Sequence, residues 1–184
     1  MIKGKYTKGF TLVELLVVIA IIAILAGGMF LVLRPATLFA KARDSRRFSE
    51  IAELNKAIAT AVIDQKFVLV DVASPGNPST GSLVSTGGGW VFYNPGSNGD
   101  LSSYISQLPK DPTNTGVLVY WYAATTSAWE LNTILEAPDN CSKAVNDGGN
   151  SGTSCTTAAD CGINGAAMPV DTCRYEVGTS LSII

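Results

Sequence analysis

The sequence predicts an α+β fold. A long N-terminal helix, transmembrane in its first half and amphipathic in its second, packs on a small antiparallel sheet, with a disulfide-pinned C-terminal loop region. Three observations carry this prediction. Phe10 to Leu33 holds only two clearly polar residues, Thr11 and Glu14. Phe48, Ile51, Leu54, Ile58 and Val62 then recur at helical spacing along one face. Finally, Val117–Ala123 and Trp129–Glu136 read as strands on either side of a Thr-Thr-Ser turn, and all 4 cysteines follow them.

A chain of 184 residues has room for one globular domain plus an appendage. The composition divides in that way. After Lys3, Lys5 and Lys8 the first 34 residues are almost wholly apolar, whereas residues 71–184 are rich in Gly, Ser, Thr, Asn, Asp and Pro. A formal charge of −2 leaves no electrostatic footprint for a polyanion, so nucleic acid is not an expected partner. The absence of histidine removes His-based catalysis and His-containing metal sites. No nucleophile–base pair or acid dyad stands out either. Neither enzymatic activity nor a cofactor is expected.

The first element is the apolar run. From Leu15 to Leu33 every residue is apolar or glycine. At ~1.5 Å per residue this nearly crosses a hydrocarbon core of ~30 Å. Three readings compete. A cleaved secretory signal would have a shorter apolar core, although Ala26-Gly27-Gly28 offers small residues for a cut. A plain anchor fits the length but leaves Glu14 without a reason, since a carboxylate at mid-bilayer costs about 2.5–3.5 kcal/mol. The third reading places Glu14 in the first helical turn, where the helix macrodipole favours negative charge. Flanking charge does not orient the segment, because Arg34, Lys41, Arg43, Arg46 and Arg47 follow it as closely as the lysines precede it. The cysteines orient it instead: an even number in a Gly/Ser/Asn-rich region reads as disulfides outside the cytoplasm.

The residues around Glu14 carry a resemblance. Lys8-Gly9-Phe10-Thr11-Leu12-Val13-Glu14-Leu15 resembles the processing and methylation motif of type IV pilins and type II secretion pseudopilins. The resemblance implies a membrane-inserted precursor cut after Gly9 by an aspartyl peptidase, which also methylates the new amine of Phe10. It further implies that Glu14 pairs with the Phe10 amine of a neighbouring subunit during assembly. Such pairing would neutralise two costly charges and fix register between helices, the best-attested use of a buried ion pair. The implied partners are copies of the chain or other pilins through the N-terminal helix, the prepilin peptidase/methyltransferase, a pilus or secretion assembly platform, and the membrane. The implied location is the bacterial inner membrane, single-pass with the C-terminus outside, then an extracellular or periplasmic filament. On this reading residues 1–9 are a leader and 10–34 the transmembrane and filament-core helix. Residues 35–66 are its amphipathic continuation, 67–136 a globular head with a β-hairpin, and 137–184 the Cys-containing region. The alternative is a minor pilin that acts as a binding module for adhesion, DNA uptake or a secreted substrate through that last region.

The later elements follow in order. Arg34-Pro35 predicts a break or kink, with Gly27-Gly28 a second weak point. Beyond it Arg46 and Glu50 stand at i,i+4, and the cluster Lys41, Arg43, Arg46, Arg47 reads as a solvated face. Phe67–Val70 reads as a helix end or short strand, and 74–89 as loop; Gly87–Gly89 lacks the lysine and spacing of a phosphate loop. Trp90–Tyr93 reads as a short strand or loop. Leu101–Leu108 reads as a small helix or turn stopped by Pro109-Lys110-Asp111-Pro112. The aromatic strand residues are expected to pack on the amphipathic helix, because a head this small needs them in its core. Cys141, Cys155, Cys161 and Cys173 are disulfide candidates with three possible pairings; none stands at the short Cys-x₂₋₄-Cys spacing of a zinc knuckle. Asn146–Asn150 and Asp160 are oxygen-rich but lack the closing glutamate of a calcium loop, and no metal is expected.

Overall fold

A computed structural model describes residues 9–33, 35–92, 99–149 and 174–183. The chain forms two compact units, Met1–Phe39 and Ala40–Ile184. The first holds helix α1 (Leu12–Leu33). Its side chains from Leu12 to Met29 are exposed all round, as they are on a helix whose partner is lipid or other apolar helices. The helix runs through Gly27 and Gly28 without interruption, so the expected weak point there does not break it. Helix α2 (Pro35–Ile63) follows, and the kink expected at Arg34-Pro35 falls on Arg34, which lies outside the described residues.

The second unit is built on the upper part of α2. Ile51, Leu54 and Ile58 are buried as the apolar spacing predicts, Phe48 and Val62 are half-buried, and Ala57 and Ala61 complete the stripe. The helix packs against a four-stranded antiparallel sheet in the order β1 (Val72–Pro78), β2 (Tyr120–Ala124), β3 (Trp129–Ile134), β4 (Arg174–Gly178). β2 and β3 form the expected hairpin, with Tyr122 opposite Leu131, and the Thr125 N–H donates to the Ala128 carbonyl across the turn at 2.8 Å. Tyr120, Tyr122, Trp129 and Leu131 join Ile51, Leu54 and Ile58 in one core. Two polar bonds fix the helix to the strands: the Trp129 indole donates to Asn55 at 2.8 Å and the Tyr120 hydroxyl to Glu50 at 2.6 Å.

Two strands depart from the sequence expectation. β1 overlaps, from Ser74 to Pro78, a stretch expected to be loop. Its Pro and Gly content is compatible with an edge strand, and its register slips between Val72 and Asn77 as a bulge permits. β4 comes from the region expected to be a C-terminal loop; its Tyr175 pairs with Thr133 and its Val177 with Leu131. Trp90, Val91 and Phe92 are buried without forming a strand, with the Trp90 indole donating to the Pro109 carbonyl at 3.1 Å. Leu101–Leu108 forms turns that bury Leu101 and Leu108. The disulfide expectation falls on Cys155, Cys161 and Cys173, which lie outside the described residues; of Cys141 only the backbone, at the start of helix α3 (Cys141–Val145), is described.

Candidate processing and assembly site

The site predicted from the sequence is built by the first turn of α1. Gly9, Phe10 and Thr11 are non-helical, and the first helical hydrogen bond runs from the Leu15 N–H to the Thr11 carbonyl at 3.3 Å. Thr11 is therefore the N-cap. Its hydroxyl oxygen accepts from the Glu14 N–H at 3.2 Å and its hydroxyl hydrogen is directed to Glu14 Oε2 at 3.2 Å. The same carboxylate oxygen accepts from the Thr11 N–H at 3.3 Å. This reciprocal arrangement is a capping box, in which two backbone donors that the helix leaves orphaned are satisfied together. Glu14 thus has local partners, and its charge lies at the positive end of the macrodipole.

Gly9, Phe10 and Glu14 are brought together by adjacency in the chain, and all three are exposed. A Cβ placed on Gly9 would meet no atom within 4 Å, so nothing in the packing of the described residues requires glycine there. Phe10 is 85 % exposed. The Thr-x-x-Glu spacing of the capping box is itself a readable sequence signal; it is overlooked when Glu14 is read only against lipid and neighbouring chains.

A second polar constellation has no counterpart in the sequence reading. Arg47, expected on a solvated face, is completely buried in the head. Its guanidinium donates to Asp111 through Nε at 2.7 Å and Nη2 at 2.9 Å, to Asp44 at 2.9 Å and to Glu136 at 2.5 Å. Arg43 grips the same Glu136 carboxylate from the partly exposed side, with Nε at 2.9 Å from each oxygen. Asp44 also accepts the backbone N–H groups of Glu136 and Ala137 at 2.9 and 2.8 Å, and Asp111 those of Thr113 and Asn114. The cluster ties α2 to the Pro-Lys-Asp-Pro turn and to the chain leaving β3. Burial pushes the Glu136 carboxyl up, but the hydrogen bonds from Arg43 and Arg47 prevail and hold it at about 2. Burial alone would lower the Arg47 pKa; the Asp111 and Glu136 carboxylates overcome it and raise the guanidinium further. Arg46 and Lys41 of the basic cluster are solvated as expected, Arg46 pairing with Glu50 at 2.6 Å in the i,i+4 arrangement and Lys41 with the exposed Asp139.

The far face of the sheet is polar and also buried. Glu130 and Asn132 on β3 and Arg174 and Glu176 on β4 are each 5 % exposed or less. Arg174 donates to Asn132 at 3.4 Å, and Glu130 accepts from the Ile183 N–H at 2.8 Å. Among the described residues no group of three His, Cys, Asp or Glu could hold a metal ion.

These features define a class: one exposed apolar helix with a capped, acid-bearing start, and a small α+β head whose core is locked by buried ion pairs. Comparison with known proteins adds the family signature. Residues 4–30 match the family described as Prokaryotic N-terminal methylation motif, the signature of type IV pilins and pseudopilins. No curated protein and no solved structure matches the chain significantly. The motif and the apolar N-terminal helix fit membrane anchoring of a prepilin.

Proposed function

We propose that this chain is a structural subunit of a type IV pilus or type II secretion pseudopilus. It inserts in the membrane as a prepilin, is cleaved after Gly9, is N-methylated at Phe10 and polymerises through α1. The observation that carries this reading is the methylation motif placed at the capped start of a helix that is apolar and exposed on every side. Among the described residues the side chains of such a helix are left exposed, and bundling in lipid and then in a filament would cover them. Glu14 serves assembly. In the free subunit the capping box accommodates its carboxylate, and in the filament it exchanges to the cationic Phe10 amine of a neighbour.

Glu14→Ala tests the reading. Membrane insertion should stay at the native level, because the substitution makes the segment more apolar. Incorporation into sheared filaments, measured by immunoblot against the membrane pool, should be lost. Filament incorporation at the native level would contradict the assembly role.

A further inference from the structure

We propose that Thr11 is a positioning residue for processing: its capping box with Glu14 fixes the start of α1 at Leu12 and so keeps the Gly9–Phe10 peptide bond outside the helix. The inference rests on the reading of that bond as the scissile one. Hydrolysis adds water across it, oxygen to the Gly9 carbonyl carbon and hydrogen to the Phe10 nitrogen, leaving a Gly9 carboxylate and a Phe10 amine. A peptidase must therefore reach the Gly9 carbonyl from outside, and a carbonyl already bonded inside a helical turn is withheld from it.

The structure shows what holds that carbonyl clear. The Thr11 carbonyl is the acceptor of the first helical bond, so the helix begins two residues beyond the scissile bond. Three further contacts at 3.2–3.3 Å between Thr11 and Glu14 set that boundary. Nothing else among the described residues sets it: Phe10 is exposed and Gly9 has open space around it. Glycine is itself an acceptable N-cap. With the Thr11 cap removed, a helix begun at Phe10 would take the Gly9 carbonyl as its first acceptor, bonding the Val13 N–H. The chemistry would then have to wait for that turn to unwind. The worth of an N-cap corresponds to a factor of about five in that equilibrium.

The test uses the full chain inserted in lipid vesicles and a purified prepilin-type aspartyl peptidase, with the new N-terminus quantified by mass spectrometry over time. Thr11→Ala should be cut about fivefold more slowly than the native chain at equal insertion. Thr11→Ser, which restores a capping hydroxyl, should be cut within about twofold of native. A Thr11→Ala rate within about twofold of native, or a Thr11→Ser rate as slow as Thr11→Ala, overturns the positioning role and leaves the prepilin reading standing. A native chain that is not cut between Gly9 and Phe10 overturns both.

Discussion

Replacing Arg47 with methionine removes the guanidinium that reaches Asp44, Asp111 and Glu136 at once. Methionine roughly fills the space of the aliphatic stem but leaves three carboxylates without that donor in a site where Arg47 and Asp44 are fully buried. Breaking a buried ion pair by deleting one partner costs about 3–5 kcal/mol, because the survivors keep their desolvation and lose their counter-charge. In a domain of this size each kcal/mol moves the melting point by about 2–4 °C, so the head of Arg47→Met should melt about 10 °C lower. Near-UV circular dichroism of the full chain in detergent reads this directly, since Tyr120, Tyr122 and Trp129 sit in the head core and α1 holds no Trp or Tyr. Arg46→Met is the internal control. Arg46 lies one residue away with a 61 % exposed side chain, and its pair with Glu50 should be worth less than about 1 kcal/mol. Melting points for the two variants within about 3 °C of each other would refute the claim that the Arg47 cluster locks helix to sheet.

Two other expectations follow from the same geometry. Glu136 is held at about 2 in the fold against 4.5 when free, so its stabilisation is complete above about pH 4.5 and is lost as pH falls through 2. Denaturant midpoints taken from pH 5 to pH 2 should lose about 3 kcal/mol from this group in the native chain, and Glu136→Gln should show a flatter profile over that range. Gly89→Ala should destabilise the head by about 1–3 kcal/mol, because a Cβ there would lie 2.1 Å from Leu108 Cδ1 and 2.2 Å from the Val84 carbonyl oxygen. Gly88→Ala, with nothing within 4 Å, should melt within about 1 °C of native; equal melting points for the two variants would contradict the packing described.

The features that the sequence discloses are those with a local period. The apolar run of α1, the Ile51, Leu54, Ile58 stripe and the β2–β3 hairpin each repeat an apolar residue at the spacing of their own element, so a short window suffices. The Arg47 cluster escapes such a window because its partners Asp111 and Glu136 stand 64 and 89 residues away. An isolated arginine beside Arg43 and Arg46 has the pattern of a wet surface. β1 escapes because Pro75 and Pro78 signal a turn, and only pairing with Trp121 and Tyr122 makes that stretch an edge strand. β4 left a trace in the alternation of Tyr175 and Val177, but five residues beside a Gly/Ser-rich loop do not outweigh their surroundings. The reverse holds for the polar residues of β3: Glu130 and Asn132 alternate as a solvent-facing row would, yet both are fully buried. At the candidate site the motif residues Gly9, Phe10 and Glu14 are readable in sequence. The part taken by Thr11 becomes evident once its hydroxyl is seen between the Glu14 amide and carboxylate.

The central claim is that the functional chain begins at Phe10. Mass spectrometry of the N-terminal peptide from chain isolated from its native membrane or filament tests it most directly. The account predicts a peptide that opens with N-methylated Phe10-Thr11-Leu12. A mature chain that keeps Lys8-Gly9, or one cut instead after Gly27 or Gly28 as a secretory signal would be, would contradict it.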